Sequence, residues 1–97
     1  MTPQESRLKR RYGITIAQWH EMFRLQKGRC PVCRRAVHEI GNAEGKRAAA
    51  VDHDHKTGRV RGLTCYRCNR FKIARNTVES AKRLYDYLAS EFDGRNL

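Results

Sequence analysis

Two cysteine pairs, Cys30-Pro31-Val32-Cys33 and Cys65-Tyr66-Arg67-Cys68, constrain this chain more than any other feature. A two-residue spacer lets both thiolates of a pair turn toward one ion at about 2.3 Å, and two such pairs complete a tetrahedron. A closed set of four thiolates leaves no position for water, so the ion expected is one structural zinc. The thirty-one residues between the pairs exceed the roughly 15–20 of the common ribbon pattern, so something folded must lie between them. Size makes such a staple necessary. With 97 residues, of which 39% are hydrophobic, the chain is expected to be one domain whose thin core supplies little net stability. The residues Met1–Glu5 lack the apolar segment of a secretory signal, and no apolar run approaches the roughly 18 residues of a membrane span. A reducing, cytoplasmic setting is therefore the expectation, and there paired cysteines hold metal more often than they form disulfides.

Around the two pairs the pattern divides into three parts. Residues 1–29 comprise a basic arm (Arg7, Lys9, Arg10 and Arg11 fall within 1–14) and a first helix. Thr15 and Gln18 form a capping box for that helix, Trp19, Met22 and Phe23 give it an apolar face, and Gly28 is its expected stop. Trp19 and Phe23 are read as core residues and not as platforms for bases. Residues 30–75 hold the cysteine-clamped centre. There 38–47 is a polar loop carrying His38, and Ala48–Val51 and Val60–Leu63 bracket Asp54–Arg59 as a β-hairpin with a long connection. A helix is predicted from about Tyr66 to Ala74. Residues 76–97 form a last helix, with Asn76 as its cap, Glu79 at the third position and Val78, Ala81, Leu84, Tyr85 and Leu88 on one apolar face.

Charge and chemistry converge on the middle part. Twenty-one Lys and Arg against ten Asp and Glu give a net +11, and a zinc tetrathiolate of about −2 would still leave about +9. Between Lys56 and Arg75 stand seven basic residues (Lys56, Arg59, Arg61, Arg67, Arg70, Lys72, Arg75) and no acidic one. Such a stripe calls for a polyanion, and DNA binding is the expected use of the seven, with about four to six of them touching phosphate. Within the same region Asp52-His53-Asp54-His55 follows the first strand, and Asn69 follows Cys68 directly. Water attack on a phosphodiester needs a base to take the proton and a cation on the phosphate. Histidine, with an ordinary pKa of about 6.5, suits the first need. A hard divalent ion on a carboxylate and an amide oxygen suits the second, and Asp52 and Asn69 supply that pair. In a regular strand Asp52 and His53 would point to opposite faces, so the strand must end or bulge there. Two other classes compete: a zinc module that binds DNA or RNA without cutting it, and a zinc-stapled protein-interaction domain. The first does not need Asp52, His53 and Asn69 together, and the one-sided charge disfavours the second.

Tyr12-Gly13-Ile14-Thr15, Gly28 through Cys33, Val51 through Leu63 and Cys65 through Asn69 together resemble the phage recombination endonuclease VII family, within the wider HNH superfamily. The resemblance implies a small zinc-stabilised α+β domain of the ββα-metal (HNH, treble-clef-like) kind, flanked by N- and C-terminal helices. It implies DNA cleavage with His53 as general base, Asp52 and Asn69 holding one catalytic magnesium or manganese, His55 lining the site, and Cys30, Cys33, Cys65 and Cys68 on zinc. Lys72 stands where the junction-resolving member carries an acidic residue, and this sequence ends before that member's long dimerisation region. Nicking or broad cleavage by a monomer is therefore expected over strict junction resolution.

Overall fold

A computed structural model describes residues 1–97. The stretch read as a basic arm is a helix, α1 (Pro3–Tyr12): Thr2 caps it through the Glu5 amide, proline opens it, and Gly13 closes it in a left-handed turn. Its arginines stay in solvent while Leu8 is buried, which explains why a sequence so rich in charge is nonetheless ordered. One buried leucine per ten residues leaves too weak a periodic signal to be read in advance.

The second helix, α2 (Ile16–Leu25), starts at the expected capping box. Gln18 N donates to Thr15 Oγ1 at 3.1 Å, and Thr15 N donates to Gln18 Oε1 at 2.8 Å. It ends at Leu25, just short of Gly28, whose amide donates back to Phe23 O. Trp19 lies at 1% exposure in a core with Leu8, Ile14, Val51 and Leu63. Beyond α2 the chain closes the first cysteine turn, Arg34 N donating to Cys30 O and Cys30 N to Arg35 O.

The hairpin pairs β1 (Ala50–His53) antiparallel with β2 (Val60–Thr64). Val51 faces Leu63 and Asp52 faces Gly62, but His53 faces Val60, so Arg61 is the extra residue of a bulge. The irregularity falls at the Asp52/His53 step, where the strand was expected to end or bulge: β1 ends at His53, and the extra residue lies on β2. The connection is built by Asp54, whose Oδ1 accepts from Lys56 N at 2.8 Å and Thr57 N at 3.1 Å.

After β2, Tyr66 and Arg67 begin a helical turn that widens into a π-helix over Cys68–Ile73, with Ala74 N donating to Asn69 O at 3.2 Å. The predicted helix is thus present in position but carries i→i+5 bonding, a rare form found frequently at functional sites. The last helix, α3 (Val78–Ala89), is capped by Thr77 and not by Asn76. Thr77 has the extended backbone a cap requires, and Ser80, not Glu79, completes the box. Asn76 instead folds back on Lys72 O at 2.6 Å. The apolar positions of α3 do not pack on the core: Val78 is 84%, Tyr85 71% and Leu88 72% exposed.

Candidate active site

The four cysteines meet. Cys30 and Cys68 are buried, Cys33 and Cys65 half-buried, and their sulfurs all lie within 4.8 Å of one another. Cys33 Sγ approaches Cys65 Sγ at 3.8 Å, and the Cys68 amide donates to Cys65 Sγ at 3.4 Å. Burial raises the Cys30 thiol, but backbone hydrogen bonds at Cys33, Cys65 and Val32 outweigh it and bring the group down to about 7. Burial and the three neighbouring sulfurs push Cys68 up to about 12. Two opposed shifts in one cluster are what mutual repulsion among thiolates produces, and a dication at the centre removes it. The four cysteines are positioned for a zinc site, closed to substrate.

Beside this clamp runs a groove of about 800 Å³, walled by Tyr12 from α1, Asp52 to Lys56 and Arg61 from the hairpin, and Tyr66, Asn69 and Arg70 from the helical segment after it. Asn76 to Glu79, at the start of α3, form the far wall. Zinc geometry and groove are coupled through the chain: Asn69 N donates to Cys65 O at 3.0 Å, so the residue after the last cysteine is fixed against the second knuckle. Asp52 is 7% exposed, with Arg61 donating Nε to Oδ2 at 2.9 Å and Nη2 to Oδ1 at 3.0 Å. That ion pair raises the Arg61 pKa above its ordinary value. The His53 ring lies between two others, stacked on His55 at 4.6 Å and tilted against Tyr12 at 5.4 Å.

The groove thus gathers Asp52, His53, His55, Lys56, Arg61, Asn69 and Arg70 from the sequence reading. Arg59, Arg67, Lys72 and Arg75 are exposed but lie outside its lining. Among the residues that line or neighbour the groove, Tyr12, Tyr66, Glu79 and Arg47 carry chemistry that the sequence reading did not assign to the site. Tyr12 and Glu79 sit at opposite ends of the chain and reach the groove only through the fold. Tyr66 accepts a hydrogen bond from Arg70, four residues on, and lies 4.1 Å beneath the Arg47 guanidinium, a contact no spacing rule announces. The Arg70 hydrogen bond holds the Tyr66 phenol below its ordinary pKa.

A bulged hairpin followed by a short helix, clamped at a four-cysteine cluster and opening a histidine-carboxylate-amide groove beside it, defines a small cysteine-clamped α+β domain flanked by helices. The family comparison makes that class specific: the recombination endonuclease VII family matches residues 5–90, and the chain belongs to it. It is 44% identical over 89 residues to the gene 59 protein of Mycobacterium phage D29, covering 90% of this chain and 50% of that protein. The gene 59 protein of Mycobacterium phage L5 is likewise 44% identical, with 90% and 51% covered. The chain therefore spans about half the length of these curated relatives.

Proposed function

We propose that this protein is a DNA endonuclease of the HNH type that hydrolyses phosphodiester bonds with the help of a divalent ion. The observation that carries the reading is the convergence of Asp52, His53 and Asn69 on one groove beside the cysteine clamp. It draws further support from membership of the endonuclease VII family. A buried carboxylate and a half-buried amide on one groove fit a hard cation, which prefers oxygen ligands. Asp52 and Asn69 would hold magnesium or manganese, which would supply charge neutralisation at the scissile phosphate.

The chain's own residues do the rest. His53 takes a proton from water as the water oxygen attacks phosphorus and the bond to the leaving oxygen breaks. The flanking Tyr12 and His55 rings restrict how the imidazole can turn. Lys56, Arg61 and Arg70 in the groove, with one to three of the exposed Arg59, Arg67, Lys72 and Arg75, hold the phosphates of the strand. The four cysteines bind structural zinc and keep Asn69 in place. Nicking or broad cleavage fits better than strict junction resolution, which needs two coordinated cuts.

Supercoiled plasmid incubated with the purified protein, with and without magnesium or manganese, tests this. Nicking is expected only with the ion, and His53→Ala is expected to lower the rate about 10²–10⁴-fold while leaving zinc content unchanged. Retarded but uncut plasmid under all conditions would favour the DNA-binding module instead.

A further inference from the structure

The acidic residue of the proposed ion site already carries a cation of the chain's own. Arg61 grips both Asp52 oxygens in a two-pronged contact, at 2.9 and 3.0 Å, and its Nη2 also lies 3.4 Å from His53 O. The pairing is a product of the bulge. Arg61 is the residue with no partner across the hairpin, between Gly62 opposite Asp52 and Val60 opposite His53. The two side chains differ in access: that of Asp52 is 9% exposed and that of Arg61 38%. The carboxylate is thus fixed, while the guanidinium has a half-open path into the groove that both line.

A divalent ion and a guanidinium on one carboxylate repel at contact range, and partial burial weakens solvent screening of that repulsion. A phosphate offers the freed guanidinium an equivalent two-pronged partner. We infer that Arg61 is a resident cation on Asp52 which transfers to a DNA phosphate when the strand enters the groove, so that divalent-ion binding and DNA binding depend on each other. The inference rests on the endonuclease reading above. Linkage makes the dependence reciprocal: whatever factor DNA contributes to ion affinity, the ion contributes to DNA affinity. The idle protein is thereby kept from loading an ion without a substrate to cut.

Manganese binding, measured by calorimetry on the full chain carrying His53→Ala so that DNA stays intact, tests the idea. Adding a short duplex should tighten manganese binding about tenfold or more. In the same background Arg61→Gln should tighten DNA-free binding by about tenfold and flatten the effect of the duplex. Arg61→Lys, which keeps the charge and loses the fork, should fall between. Equal DNA-free affinities with and without Arg61→Gln overturn the inference. Asp52→Asn separates this from failure of the endonuclease reading. If Asp52→Asn abolishes manganese binding while Arg61→Gln changes nothing, only the Arg61 inference falls. If manganese binding ignores Asp52→Asn, the ion site falls too.

Discussion

Four alternating residues, Asp52-His53-Asp54-His55, are sorted into distinct tasks by backbone geometry. Asp54 is adjacent to the candidate base but turns its carboxylate onto the loop, where the Thr57 and Lys56 amides hold its pKa below the ordinary 3.8. Because the folded value is depressed, the stabilisation this carboxylate gives is fully present above its unfolded pKa of about 3.9 and lost as pH falls through the lower folded value. The Lys56 and Thr57 amides, followed by NMR, should therefore lose their hydrogen-bonded shifts only below about pH 4. Asp54→Asn, which still presents an oxygen acceptor, should abolish that transition and keep the turn. An unchanged acid transition in Asp54→Asn would assign the effect to another group.

Between elements, one side chain joins what the sheet alone cannot. Gln26, at the end of α2, accepts from Leu63 N at 2.8 Å and donates to Leu63 O at 2.7 Å, acting as a third strand one residue long. Leu63 is fully buried, so removing the amide orphans both backbone groups away from water. Gln26→Ala should cost about 2–3 kcal/mol in chemical denaturation, and Gln26→Glu should also destabilise because a carboxylate cannot donate to Leu63 O. Gln26→Glu with unaltered stability would mean that the donor half is dispensable. The cysteine clamp works on the same scale, holding the turn after α2 to the start of the π-helix. Closed zinc sites in small domains contribute apparent binding energies of about 10–16 kcal/mol. Elemental analysis should find one zinc per chain, and Cys65→Ser should leave a largely unfolded chain by circular dichroism. A Cys65→Ser protein with a native spectrum and thermal midpoint would remove zinc from the account of this fold.

Across the whole molecule, which extends 64 × 32 × 19 Å, charge is unevenly placed. The net +11 comes from residues before α3, because the segment from Asn76 onward carries Glu79, Asp86, Glu91 and Asp93 against Lys82, Arg83 and Arg95. Binding to duplex DNA should accordingly fall steeply with salt, each neutralised phosphate adding about −0.9 to the slope of log affinity against log salt. With four to six of the seven stripe residues on phosphate, a slope of about −4 to −5 is expected on unrelated duplexes alike. Arg70→Ala should reduce it by about one. A shallow slope, or a strong preference for one sequence, would shift the weight from phosphate to base contacts.

The cysteine spacing, the capping box of α2, the hairpin and the need for its first strand to end or bulge at Asp52/His53 were all legible in the sequence, because each follows from local rules of reach, capping and side-chain alternation. The same local rules misled at both ends. They missed α1, which fully buries only Leu8, and they assigned the last cap to Asn76, because choosing between neighbouring cap formers depends on which backbone is extended. Helical periodicity in Val78, Leu84, Tyr85 and Leu88 gave a face but could not say that the core would leave it uncovered. Tertiary structure alone decided that Tyr12 would flank His53, that Glu79 would reach the groove, and that Arg61 would close on Asp52. Contacts between distant segments are fixed by packing and by the register of the bulge, and neither is written in the spacing of residues along one strand.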